Sequence, residues 1–99
     1  MEKWFAEAGV LFLQGLGIDK GHYVLDFGCG EGYYTIPAAM IVGAQGQVYA
    51  IDKDEAVLAA LAERAKKWAL NNIVLMPTKT DLEIGLYLPG DLKHASGLN

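Results

Sequence analysis

Ninety-nine residues make one domain at most, near the small end of what builds its own core. A formal net charge of −4 gives no field to attract phosphates, so nucleic acid is not implied, and no uninterrupted apolar stretch reaches the ~18 residues of a membrane span. One cysteine, Cys29, cannot close an internal disulfide, and residues 1–17 carry Glu2, Lys3 and Glu7 with no small-residue cleavage site, so a cytoplasmic chain without a signal peptide is expected.

The pattern opens on a helix. Over residues 2–14, Trp4, Phe5, Ala8, Leu11 and Phe12 recur at helical spacing, and Gly15 and Gly17 suit its stop, so 1–17 reads as a leading helix. Tyr23–Phe27 is a strand too apolar to leave one face in water, as expected of a parallel strand covered on both sides. Residues 33–42 read as a crossover helix. Pro37 lies inside it, which predicts a late start or a kink, because proline is tolerated only in a first turn. Gly43 and Gly46 end that helix, and Gln47–Asp52 is the second strand. Asp54 is a natural N-cap for a helix running to about Leu70, with Val57, Leu61, Ala65 and Trp68 on one face. Asn71 and Asn72 close it, and 73–76 forms the third strand. Beyond Asp81 the signal fades. Ile84, Leu86, Tyr87 and Leu88 are apolar, but Pro89 and Gly90 mark a turn and 94–99 a frayed polar end.

Chemistry concentrates between the first strand and the helix after it. Gly28, Gly30 and Gly32 stand at alternate positions behind an apolar strand, where they permit a sharp turn and bring bare backbone N–H groups up to a ligand. The dinucleotide fingerprint G-x-G-x-x-G needs its third glycine at position 33, which is Tyr33, so a nicotinamide cofactor is disfavoured. The observed G-x-G-x-G, with Asp26 two residues ahead and Asp52 ending the next strand, resembles motif I of the class I S-adenosylmethionine-dependent methyltransferases. That resemblance spans about residues 23–81. It implies an α/β, Rossmann-like half-domain: a leading helix, then β-α-β-α-β over 22–81 with parallel strands ordered 3-2-1, and a tail over 82–99.

The same resemblance implies S-adenosylmethionine as cofactor. Backbone N–H groups of residues 30–33 would take its carboxylate at the helix start and Asp26 its ammonium. Asp52 would hold the ribose hydroxyls, Lys53 or Asp54 would border the adenine, and Asp81 would meet the adenine amino group. Tyr33 and Tyr34 either shield the cofactor or simply pack. No catalytic base, no metal set and no acceptor-binding segment are evident, so methyl transfer is expected of the family and inactivity of this stretch alone. The competing reading is a non-catalytic, self-associating fragment without cofactor.

Several residues read as structural. Cys29 has no activating base nearby and reads as packing; His22 and His94 have no ligand-spaced companion; Arg64, Lys66 and Lys67 form a solvated helix face. In the 3-2-1 order the first strand lacks a neighbour, so either Tyr23–Phe27 pairs with its own copy in a homodimer, or the apolar residues 84–88 fold back onto that edge or swap across to a partner's.

Overall fold

The computed structural model describes residues 4–79 and 85–87. A π-helical turn, Trp4–Ala8, runs into α1 (Gly9–Gly15). Then come β1 (Tyr23–Phe27), α2 (Thr35–Val42) with a 3₁₀ turn at Gly43–Gln45, β2 (Gln47–Asp52), α3 (Glu55–Lys67), β3 (Ile73–Pro77) and β4 (Gly85–Tyr87). The sheet order is β3-β2-β1-β4. β1, β2 and β3 are parallel, as the 3-2-1 expectation requires, and β4 lies antiparallel on β1 with Leu25 opposite Tyr87 and Phe27 opposite Gly85. Of these ways to satisfy the β1 edge, the fold-back is therefore the one seen. Along Leu25–Phe27 the β1 backbone is paired by β4. Asp81 and the tail, apart from β4, lie outside the described residues.

Register decides which side chains share a face. Val24 and Asp26 of β1, Val48 and Ala50 of β2, and Ile73 and Leu75 of β3 line one side. Leu13 of α1 and Ala38, Ala39 and Val42 of α2 pack on its lower half with Val24 and Val48. Ile36 of α2 and Leu58, Leu61 and Ala65 of α3 pack with Ala50 and Cys29 on its upper half. Among the described residues all three helices thus cover the same face. Among the described residues the expected cover on both sides of β1 is not seen: Tyr23 is half exposed, Leu25 and Phe27 are intermediate, and Tyr23 meets Tyr49 ring to ring on the opposite face at 6.5 Å.

Two helices depart from the sequence pattern for local reasons. In α1 the inward residues are Gly9 and Leu13, while Leu11 and Phe12 are exposed. The wider π turn ahead of it shifts the phase of every following residue. α2 starts late, at Thr35, which puts Pro37 in the first turn, where its missing N–H is harmless. α3 begins as expected, with Asp54 Oδ1 accepting from the N–H groups of Ala56 (2.9 Å) and Val57 (3.3 Å). It ends earlier than expected, at Lys67, and Ala69 turns the chain with a φ of 55°.

Asn72, read from sequence only as a helix stop, has a larger part. Buried between α2 and β3, its side-chain amide donates to the Ala39 carbonyl at 2.8 Å and the Gly43 carbonyl at 2.9 Å, satisfying the C-terminal end of α2. Asn72→Ala leaves both acceptors without that donor, so it is expected to cost about 2 kcal/mol, seen as a lowered urea midpoint with an unchanged slope. Asn72→Asp should be worse than alanine, because it sets an anion against two carbonyl oxygens.

Candidate cofactor site

The loop after β1 is shaped by backbone conformation before any side chain enters. Gly28, Gly30 and Gly32 have φ of 69°, 55° and 86°, the left-handed region open mainly to glycine. At Gly32 space is tight as well, since a Cβ there would sit 2.5 Å from Leu61 Cδ1 and that side chain would have to shift. The parallel register places Phe27 beside Ile51, and the loop is sewn to the end of β2. Gly28 N–H and Cys29 N–H both donate to the Ile51 carbonyl, at 2.7 and 3.3 Å.

Side chains from three elements hold the rest of the loop. Asp52 Oδ2 accepts from Gly30 N–H at 3.1 Å, and its Oδ1 accepts from Asp54 N–H at 2.9 Å. Trp4 Nε1 donates to the Tyr33 carbonyl at 2.6 Å. The Arg64 guanidinium donates to the Glu31 carbonyl and lies 3.8 Å from the Glu31 carboxylate. Arg64 is therefore not only part of a solvated face.

Asp26 sits beneath the loop, 4% exposed, with Thr35 Oγ1 donating to its Oδ2 at 2.5 Å. Burial pushes its carboxyl up to about 6; the Thr35 bond pulls the other way and the nearby Asp52 charge adds to the rise. Cys29 is buried beside it, and burial, then Asp26 and Asp52, push its thiol up to about 12. It stays protonated at neutral pH and packs, as its sequence context indicated.

Asp26, Gly28, Gly30, Gly32 and Asp52 are thus brought together. Lys53 follows Asp52 with an exposed side chain, Asp54 is occupied as the α3 cap, and Asp81 lies outside the described residues. A cleft of about 560 Å³ opens over the loop, lined by Asp26, Phe27 and residues 28–31, by Phe12 of α1 and Leu16 just after it, and by Tyr33 and Tyr34. The Phe12 and Tyr34 rings stack with centroids 6.1 Å apart. Thr35, Trp4, Arg64 and Phe12 carry no motif, and their part in the site has no signal in the sequence.

This lining discriminates between ligands. Asp26 and Glu31, with no cationic side chain among the described lining residues, disfavour a pyrophosphate beside them and suit an ammonium. A Cβ on Gly30 would meet only the Gly28 carbonyl, at 4.0 Å, so glycine there keeps open space. No cluster of three or more potential metal ligands occurs among the described residues.

Known proteins share this arrangement. A family model described as "Methyltransferase domain" matches residues 18–77. The probable cobalt-precorrin-6B C(15)-methyltransferase (decarboxylating) of Saccharolobus solfataricus is 46% identical over 71 residues, covering 71% of this chain and 36% of that protein. Its counterpart in Pyrobaculum aerophilum is 33% identical over 92 residues, covering 93% and 47%. The chain spans less than half the length of these curated relatives. A solved SAM-dependent methyltransferase from Aquifex aeolicus superposes with a TM-score of 0.68 at 30% identity, over 78% of this chain and 41% of that one.

The buried acid has a cost that can be measured. Because the Asp26 pKa rises on folding, from 3.8 to about 6, its contribution favours the fold below about pH 4 and is lost as pH climbs through 6. Asp26→Asn keeps an acceptor for Thr35 and removes the charge. It should therefore melt above wild type at pH 7.5, by up to about 3 kcal/mol, with the difference closing near pH 4.

Proposed function

Because the chain belongs to the class I S-adenosylmethionine-dependent methyltransferases, we propose that residues 26–32 and Asp52 hold S-adenosylmethionine as the cofactor half of such an enzyme. The observation that carries this reading is the meeting of two carboxylates, from the ends of neighbouring parallel strands, around a loop of three left-handed glycines. Bound there, the cofactor supplies an electrophilic methyl on a sulfonium.

The chain's own residues do the rest. Loop N–H groups at the start of α2 face the amino-acid carboxylate and Asp26 faces the ammonium. Asp52 turns its carboxylate to the ribose hydroxyls, Lys53 borders the adenine, and Asp81 is assigned to the adenine amino group by the family pattern. Phe12, Leu16 and Tyr34 make one wall of the cleft apolar, which keeps water from the methyl end.

The acceptor follows the relatives. Two of them, at 46% and 33% identity, are named for C(15) of cobalt-precorrin-6B, which supports a carbon acceptor. No helix among the described residues is long and apolar enough to cross a membrane, and a cytoplasmic setting completes the proposal.

Two measurements test it. S-adenosylmethionine or S-adenosylhomocysteine at 100 times its dissociation constant should stabilise the fold by ~2.7 kcal/mol and NAD should not. Asp52→Ala should weaken binding roughly 10²-fold in a titration while the chain stays folded, because two charge-assisted bonds are lost. Equal affinity would make Asp52 merely the tie between Gly30 and Asp54.

Residues 1–99 alone should give no appreciable turnover to S-adenosylhomocysteine with any acceptor. Binding without a segment that orients the acceptor forfeits the proximity term. Acceptor-dependent turnover by this stretch would overturn that part of the reading.

A further inference from the structure

α2 is apolar along its whole length except for its first residue. Thr35 is fully buried, and its hydroxyl has one feature to justify it, the 2.5 Å bond to Asp26 Oδ2. Valine has nearly the same shape and would satisfy the packing, and a buried hydroxyl is unfavourable without a partner. A β-branched side chain also holds few χ1 rotamers, so the donor is fixed by the helix that carries it. α2 begins where the glycine loop ends; the same turn that builds the cradle therefore sets the hydroxyl under the carboxylate.

We propose that Thr35 is a positioning residue of the cofactor site: by donating to Oδ2 it fixes the Asp26 carboxylate in the cleft and leaves the other oxygen to a ligand ammonium. This rests on the cofactor reading above. It also makes ligand affinity depend on the charge state of Asp26. The ionisable groups around it are Asp52 at the end of β2 and Cys29, Glu31, Tyr33 and Tyr34 on the loop. α1 and α2 bring none. The one hydroxyl that favours the charged form thus opposes burial and a like charge.

The test uses Thr35→Val and Thr35→Ser in the 99-residue chain, with S-adenosylhomocysteine as probe. Calorimetric affinity is followed from pH 5 to 8.5, and the Asp26 carboxyl carbon is titrated by NMR without ligand. Thr35→Val should move the Asp26 midpoint up by about one pH unit and weaken binding about threefold at pH 6.5 and close to tenfold at pH 5, with recovery toward pH 8.5. Thr35→Ser should follow wild type in both. A valine variant with an unmoved midpoint, or one that loses affinity equally at every pH alongside serine, overturns the proposal. Should valine fail to fold, Thr35→Ala carries the same expectations. Absence of probe binding by wild type defeats the cofactor reading, while the ligand-free titration still decides whether Thr35 governs Asp26.

Discussion

The site depends on how the glycine loop is fastened to the end of β2. Parallel register brings Phe27 level with Ile51, and the Ile51 carbonyl takes two consecutive N–H groups from Gly28 and Cys29. One residue further along β2, Asp52 takes the Gly30 N–H. These three bonds convert a flexible glycine sequence into one conformation, since each glycine would otherwise sample much of φ/ψ space. Everything above the loop follows from them: where α2 starts, where Thr35 stands, and where the cleft opens.

The helices lie where this fastening needs support. α3 packs Leu61 into the space that a glycine at position 32 leaves free. α3 also sends Arg64 to the loop, and the leading turn sends Trp4. The opposite face of the sheet shows what the described residues lack. With Tyr23 and Met76 substantially exposed and Leu25 and Phe27 only half covered, that side is less buried than parallel strands ordinarily are.

The parts legible in sequence were those encoded by local chemistry. A glycine at each alternate position, an acid ending each of two strands and an Asp before an amphipathic run state their roles within a few residues, and the β1, β2 and α3 starts followed. Residues whose role depends on distant neighbours were not legible. Thr35 looks like an ordinary α2 residue until the loop folds it under Asp26; Trp4 and Arg64 reach carbonyls 29 and 33 positions away. Asn72 reads as a turn residue although it closes α2. The phase error in α1 has a different origin. A π turn does not follow the 3.6-residue period, so of two residues apolar at helical spacing Phe12 ends up at the cleft wall and Leu11 exposed, instead of both in the core.

Asp26 shows why these features belong together. A carboxyl that is 4% exposed beside another acid is a poor choice for stability alone, and a neutral residue of the same shape would serve the packing better. The Thr35 hydroxyl offsets part of that cost but does not cancel it, because the carboxyl remains raised. What would relieve it is a positive group entering the cleft, which favours the charged carboxylate and lowers the self-repulsion with Asp52 in one step. At Asp26 the unliganded site is thus held in an electrostatic state that a cation improves and an anion worsens. Under the proposed cofactor reading, a preference for an ammonium over a phosphate beside Asp26 would therefore be set before any ligand contact is made, by two acids placed close together by the register of two parallel strands.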